Sequence, residues 1–206
     1  MDRQGLYFSL PIAILSLLFL WLFNRTPSVI FVFLFAGGFL LACLVGLFFR
    51  DPERKIPQGD DLILSPADGT VQRIKSVNGQ IIISIFLSIF NVHVNRIPVA
   101  GNIKRVVHKS GRFLAAFRED ASDINERNEI EIENPGGNIT VHQIAGVLAR
   151  RVVCRVKEGQ IVKAGDRFGL IRFGSRVDLY LPEAISIQVV KGQRVKGGLT
   201  VIGKWQ

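Results

Sequence analysis

The chain has 206 residues, 48% of them hydrophobic, a mean hydropathy of +0.30 and a formal net charge of +9. That length holds one ordinary domain plus an anchor, and two cysteines in unrelated surroundings, Cys43 and Cys154, exclude a disulfide-stapled scaffold. The apolar excess sits in residues 1–49 and the basic excess in the remainder. A basic domain next to apolar spans suggests attraction to anionic lipid headgroups. Nucleic acid is the competing partner for such charge, but no zinc spacing, RNP motif or helix-turn-helix signal supports it.

Residues 6–23 and 29–49 are uncharged apolar runs, each long enough to cross a bilayer. The polar turn Asn24-Arg25-Thr26-Pro27-Ser28 separates them, so residues 1–49 read as a transmembrane helical hairpin. A cleaved signal peptide fits less well, because a second span follows with no small-residue cleavage site. Arg3 precedes the first span, and Arg50, Arg54 and Lys55 follow the second, against Arg25 alone in the turn. The positive-inside rule therefore puts both termini and the domain 50–206 on the cytoplasmic side of the cell membrane.

From Asp51 the character changes. After the linker-like Ile56-Pro57-Gln58-Gly59-Asp60-Asp61 come short β-rich runs at 62–64, 69–74, 81–84, 92–96 and 101–107, then 126–133, 138–147, 151–156, 166–172, 176–181 and 187–190. Asn78-Gly79 and Pro135-Gly136-Gly137 are turn signals between them. Helical periodicity is weak after residue 50, so the expected fold is mainly β, a compact sandwich or barrel-like arrangement. Residues 112–125 read as a lid or short helix. Val156-Lys157-Glu158-Gly159-Gln160-Ile161-Val162-Lys163-Ala164-Gly165 is echoed by Val190-Lys191-Gly192-Gln193-Arg194-Val195-Lys196-Gly197-Gly198. The echo suggests two related β-turn units packed together, of the kind seen in biotinyl and lipoyl hammerhead folds.

Chemistry enters at Phe173-Gly174-Ser175-Arg176. Val177, Leu179 and Leu181 alternate with Arg176, Asp178 and Tyr180, so a half-buried strand starts just after Gly174. Glycine there leaves its carbonyl open to the neighbouring hydroxyl. By itself Gly-Ser is a turn entering a strand; Asp68 in Ser65-Pro66-Ala67-Asp68-Gly69 is a turn aspartate, and His93 in Phe90-Asn91-Val92-His93-Val94-Asn95-Arg96 is a sheet histidine. His142 alternates with apolar neighbours and reads as structural. No histidine spacing suggests a metal site.

Taken in order with Phe48-Phe49-Arg50-Asp51-Pro52, these motifs resemble the phosphatidylserine decarboxylases over about residues 48–206, in particular their short membrane-anchored, archaeal-type members. Longer members carry Gly-Ser-Thr or Gly-Ser-Ser at the cleavage site, whereas Gly174-Ser175-Arg176 is similar to the short subgroup. The resemblance implies a catalytic set of Asp68, His93 and Ser175. His93 takes the serine proton, Asp68 orients the imidazole, and Ser175 attacks the carbonyl of Gly174 in its own chain. It further implies cleavage into residues 1–174 and 175–206, which remain together as a heterodimer. Ser175 becomes a pyruvoyl cofactor that forms a Schiff base with the substrate amine, with no metal and no pyridoxal phosphate. The expected substrate is a membrane phospholipid, decarboxylated from phosphatidylserine to phosphatidylethanolamine in phospholipid biosynthesis. Arg96 and Arg176 are the candidates for the lipid headgroup, with Lys104 and Arg105 adding phosphate attraction. Ile85-Phe86-Leu87-Ser88-Ile89-Phe90 is either a buried strand or, in part, a lipid-facing mouth beside His93. Two readings compete with the enzyme: a non-enzymatic membrane-anchored β-domain adaptor, and a relative that has lost processing. The adaptor lacks a lipoyl or biotin attachment turn and leaves Asp68, His93 and Ser175 unexplained.

Overall fold

The computed structural model describes residues 1–114, 121–147, 151–172 and 175–205. The chain forms two compact units, Met1–Pro52 and Glu53–Gln206.

The first unit is a pair of helices, α1 (Arg3–Arg25) and α2 (Val29–Phe48), with mean hydropathies of 2.2 and 2.7 over their most apolar stretches. Side chains such as Tyr7, Leu17, Phe33 and Leu40 face outward, which suits an apolar surrounding and suggests membrane association. Asp2 caps α1 by accepting from the Gln4 N–H at 3.0 Å. Where the helices cross, Gly38 leaves no room for a Cβ against Ser16, the small-residue contact that lets membrane helices approach closely.

Among the described residues the second unit has strands and one turn of helix, α3 (Ala121–Ile124). Its strands are β1 (Leu62–Leu64), β2 (Gly69–Val77), β3 (Gln80–Leu87), β4 (Val94–Arg96) and β5 (Gly101–Lys109). After α3 come β6 (Arg127–Asn134), β7 (Gly137–Ile144), β8 (Val152–Cys154), β9 (Ile161–Val162) and β10 (Arg167–Ile171). The last four are β11 (Ser175–Pro182), β12 (Ser186–Ile187), β13 (Arg194–Val195) and β14 (Val201–Lys204). Asn78 and Gly79, at φ 53° and 75°, make the tight hairpin between β2 and β3 that the Asn-Gly pair predicts. An eight-stranded sheet runs in the order β13-β2-β3-β11-β7-β6-β5-β9, flanked by three-stranded sheets β1-β14-β12 and β4-β10-β8. The core is aliphatic: Val71, Ile83, Ile85, Ile103, Ile130, Ile132, Val141, Val177 and Leu179 are at most 1% exposed. Each such side chain contributes about 1.5–3 kcal/mol relative to exposure.

The sheet order is a palindrome. β1–β3 with β11–β14 form one half, and β4–β10 form the other. Val71 exchanges two backbone hydrogen bonds with Gln193 and Gly192, at 2.9 and 2.8 Å; Ile103 does the same with Gln160 and Gly159, at the same two distances. β2 is bulged between Val71 and Arg73, and β5 between Ile103 and Arg105. Leu64 N–H donates to the Pro98 carbonyl and Arg96 N–H to that of Pro66, both at 2.9 Å. Register puts the pseudo-twofold axis at the Leu179/Val141 pair of β11 and β7. The Gly-Gln echo in the sequence is thus the legible part of a whole-unit repeat, and its two turns meet. A Cβ on Gly198 would lie 3.6 Å from Gly165, and both glycines need φ > 0 (71° and 84°).

Candidate functional site

One end of β3 gathers the residues named from sequence. Leu87 closes β3 and pairs with Ser175, the first residue of β11. On the other flank of β3, Gly69 packs so closely against Phe86 that a Cβ would strike its carbonyl, which brings the Asp68 turn to the same end. From Leu87 the chain turns through Ser88–Asn91 to His93, whose carbonyl accepts from the Ile171 N–H at 3.3 Å, just before the connection that leads to Ser175. Register therefore brings all three positions to one region. Phe173 and Gly174 lie outside the described residues, so the expected scissile carbonyl has no described geometry.

Ser175 is fully buried, and its hydroxyl has no hydrogen-bond partner among the described residues. A buried hydroxyl left without a partner costs about 1–3 kcal/mol, a cost typical of a functional position. His93 is 2% exposed. Its Nδ1 lies 2.9 Å from the Asn91 carbonyl, which can only accept. Nδ1 therefore carries the proton, and in the neutral ring the buried Nε2 holds the lone pair that a general base needs. The turn that presents this carbonyl is held by Asn91 Oδ1, which accepts from Ser88 N at 2.9 Å and Ser88 Oγ at 2.8 Å.

Asp68 is buried, but its carboxylate is committed elsewhere than to the imidazole. Arg54 grips it with Nη1 to Oδ1 at 2.6 Å and Nη2 to Oδ2 at 2.9 Å, and the Gly197 N–H adds a bond to Oδ1 at 2.8 Å. Arg54 Nη1 also donates to the Gly197 carbonyl. Sequence reasoning counted Arg54 only as a membrane-flanking charge; the signal it missed is the complementarity of a lone arginine in a linker to a lone aspartate in a turn.

Neither arginine expected at the headgroup is on the surface. Arg96 is 5% exposed and donates from Nη1 to the Gly165 carbonyl at 3.0 Å, tying together the two turns of the repeat. Arg176 is 1% exposed, with Nε 3.0 Å and Nη2 3.1 Å from the carboxylate of Asp178. Ser122 of α3 donates to the same carboxylate at 2.6 Å; of the segment 112–125, expected as a lid or short helix, residues 121–124 are helical and 115–120 lie outside the described residues. Lys104 is engaged by Glu131 at 2.9 Å. Asn95, next in the His93 motif, is fully buried in a chain with Gln143 (2.8 Å) and Asn128 (3.0 Å) that links β4, β7 and β6. His142 is half-buried against Tyr180, and loss of solvent pushes its pKa down to about 4. Among the described residues, no group of three His, Cys, Asp or Glu could hold a metal ion.

Ile85 and Leu87 are buried in β3, but Ile89 and Phe90 are 47% and 76% exposed at the tip of the turn before His93. The apolar run is thus a buried strand in its first part and an exposed apolar tip in its last.

A cavity of ≈ 830 Å³ lies elsewhere, at the pseudo-symmetric position, lined by Ala100, Gly101, Asn134, Lys163 and Trp205 among others. By register, Ala100 there corresponds to Asp68, Asp61 to His93 and Gly137 to Ser175. None of those three is the residue that its counterpart in the Asp68, His93 and Ser175 set is.

A family model described as phosphatidylserine decarboxylase matches residues 41–203. A protein of Ehrlichia chaffeensis named phosphatidylserine decarboxylase proenzyme is 50% identical over 82% of this chain and 84% of its own length. One of Carboxydothermus hydrogenoformans with the same name is 45% identical over 99% of this chain and 96% of its own. A Wolbachia protein, again so named, is 47% identical over 82% and 81%. Matches this long, spanning the segments that hold Asp68, His93 and Ser175, mean that the chain belongs to the phosphatidylserine decarboxylase family.

Proposed function

We propose that the chain is a membrane-anchored, self-processing enzyme that decarboxylates phosphatidylserine to phosphatidylethanolamine. The observation that carries this reading is the buried Ser175 hydroxyl, without a partner among the described residues, at the start of β11 beside the His93 segment. The relatives' names add that they are proenzymes.

In processing, His93 Nε2 takes the Ser175 hydroxyl proton and the oxygen attacks the Gly174 carbonyl. The peptide bond gives way to an ester, and the amine of Ser175 is freed. Loss of the Cα proton expels the Gly174 carboxylate and leaves dehydroalanine at 175. Water then replaces its nitrogen, releasing ammonia and leaving a pyruvoyl group on the fragment 175–206. The two fragments stay together, because β11 remains paired with β3 and β7 on the other fragment. Burial of Ser175 fits such a group, since a small carbonyl replaces a hydroxyl that has no hydrogen bond to lose among the described residues. The pyruvoyl group supplies a conjugated carbonyl as electron sink for loss of carbon dioxide.

The remaining work falls to the chain. His93 holds a proton beside the reacting carbon, and Asn91 keeps its tautomer. Asp68, tied by Arg54, fixes the turn beside β3 and is available to the imidazole only if that grip is released. We assign Arg96 and Arg176 to the frame rather than to the headgroup, since both are buried in pairs. Ile89 and Phe90 offer apolar contact to acyl chains at the mouth. Residues 1–49 anchor the catalytic domain 50–206 with both termini on the cytoplasmic side, as the arginines that flank the spans favour.

Intact-mass measurement of the full chain beside Ser175→Ala tests this reading. The expected wild type gives a 175–206 fragment lighter than its plain sequence by one ammonia, and the variant stays whole. A single full-length species in both, in folded protein, would instead support the adaptor or the inactive relative.

A further inference from the structure

The repeat pairs two turns, 196–198 beside Asp68 and 163–165 in the other half. Val195 pairs with Gly69 and Val162 with Gly101, so Lys196 corresponds to Lys163 and Gly197 to Ala164. The next residues keep that alignment: the Gly198 N–H donates to the Ser65 carbonyl and the Gly165 N–H to that of Ile97, both at 2.8 Å. In the first turn the Gly197 N–H donates to a carboxylate, Asp68 Oδ1, at 2.8 Å. In the second, Ala100 stands where Asp68 would, and the Ala164 N–H has no hydrogen-bond partner among the described residues.

The cavity of ≈ 830 Å³ is lined by both Ala100 and Ala164. It opens where the fold keeps the donor for a carboxylate and the chain omits the carboxylate, and its volume is that of a small-molecule site. Lys163 lines it as well, and its ammonium has no ion-pair or hydrogen-bond partner among the described residues. Ile56, Leu62 and Val99 make an apolar wall, completed by Trp205. The indole is held in place: the Trp205 backbone N–H donates to the Asp61 carbonyl at 3.0 Å, and a Cβ on Gly136 would lie 2.6 Å from the ring. Two carboxylates also line the cavity, Asp60 and Asp166, the second already accepting from the Lys163 N–H at 2.8 Å. With two negative charges to one positive, the lining disfavours a dianionic ligand.

We propose that this cavity binds a small monocarboxylate with an apolar body, at a site separate from that of Ser175. The ligand's carboxylate takes the place that Asp68 holds in the other half, accepts from the Ala164 N–H and pairs with the Lys163 ammonium. Its hydrocarbon part lies against Ile56, Leu62 and the indole of Trp205. This inference does not depend on the chemistry at Ser175 and holds equally for an uncleaved chain.

The test is fluorine NMR of the full chain, labelled with fluorotryptophan in micelles of an uncharged detergent and titrated with hexanoate. The chain has two tryptophans, so Trp21→Phe assigns both signals. The Trp205 signal should shift saturably while that of Trp21, in α1, stays in place, which separates binding from partition into the micelle. Hexanol, and hexyl phosphate as its dianion, should bind about tenfold more weakly or less, since each lacks the charge-assisted fit of the carboxylate. Lys163→Gln should weaken hexanoate by about tenfold, the worth of one charged contact, and Lys163→Arg should keep it. Ala100→Asp, which restores a carboxylate from the chain itself, should abolish binding. A Trp205 signal that does not move, equal shifts of both signals, or equal affinity for hexanol and hexanoate overturns the proposal. So does unchanged hexanoate affinity in Lys163→Gln with matched thermal unfolding.

Discussion

The two halves of the β unit are built from the same turns, bulges and edge strands, yet they end in different chemistry. At one end of the pseudo-twofold stand Asp68, His93 and Ser175; at the other, Ala100, Asp61 and Gly137. At the first end all three residues are at most 8% exposed. The other end is open, with a cavity of ≈ 830 Å³ and an exposed Asp61 that pairs with Lys204 at 3.5 Å. The backbone thus sets where a site can lie, and a few side chains decide whether chemistry follows.

The largest expected effect tests whether His93 and its counterpart differ in kind. His93→Ala should slow self-cleavage by about 10²–10⁴-fold, the usual worth of a positioned acid–base group. Asp61→Ala should leave it unchanged. Both are read by the appearance of the 175–206 fragment over time. Normal cleavage in His93→Ala, or equal loss in Asp61→Ala, would remove the distinction.

Arg54 comes next. Its guanidinium and the Asp68 carboxylate are 5% and 11% exposed, so removing one partner strands the other. Arg54→Ala should cost about 3–5 kcal/mol. Arg54→Ala/Asp68→Ala should recover part of that, because no buried charge remains. Denaturant unfolding in the uncleavable Ser175→Ala background measures the cycle, and additive losses would mean that the pair is not coupled. The other half has no such pair, since Ala100 takes the place of Asp68.

His142 and Tyr180 occupy equivalent positions and touch across the pseudo-axis, with ring centroids 4.4 Å apart. Burial is the largest influence on the histidine and favours the neutral ring; Glu129 and Asp178 pull the other way, and Arg127 and Lys109 reinforce burial. With a folded-state pKa of about 4 against an ordinary 6.5, the unfolded chain binds the proton first. Stability from this group is therefore complete above pH 6.5 and is lost as pH falls toward 4, by about 3 kcal/mol in all. His142→Phe should flatten that window in unfolding experiments; an unchanged slope would place the acid sensitivity elsewhere.

How much of this was legible in the sequence depends on the range of each interaction. The hairpin anchor, the Asn78-Gly79 turn and the alternation of β11 are local and could be read directly. The two-residue strands β9 and β13 could not, because their pairing with β5 and β2 comes from distant segments and their sequence reads as turn. The same limit applies to the site. Motif order marked out Asp68, His93 and Ser175, but nothing local tells Asp68 to meet Arg54, or buries Arg96 and Arg176. The Gly-Gln echo was visible because turn glycines tolerate few substitutes, whereas the strands between diverged within the broad class of aliphatic residues.

The smallest effect tests the symmetry itself. Gly69 and Gly101 begin equivalent strands and meet equivalent walls. A Cβ on Gly69 would strike the Phe86 carbonyl and lie 2.9 Å from Ile85 Cγ2; on Gly101 it would strike the Glu133 carbonyl and lie 3.0 Å from Ile132 Cγ2. In both cases the obstacle is backbone, which cannot swing aside as a side chain would. Gly69→Ala and Gly101→Ala should therefore each cost about 1–3 kcal/mol, the usual price of overpacking, and by similar amounts. Their effects on cleavage should differ, because Gly69 adjoins Asp68 and Gly101 adjoins Ala100. Matched thermal unfolding with unequal processing would show that the halves share their mechanics and not their chemistry. A stability difference well above 1 kcal/mol would mean that the likeness stops at the hydrogen-bond pattern.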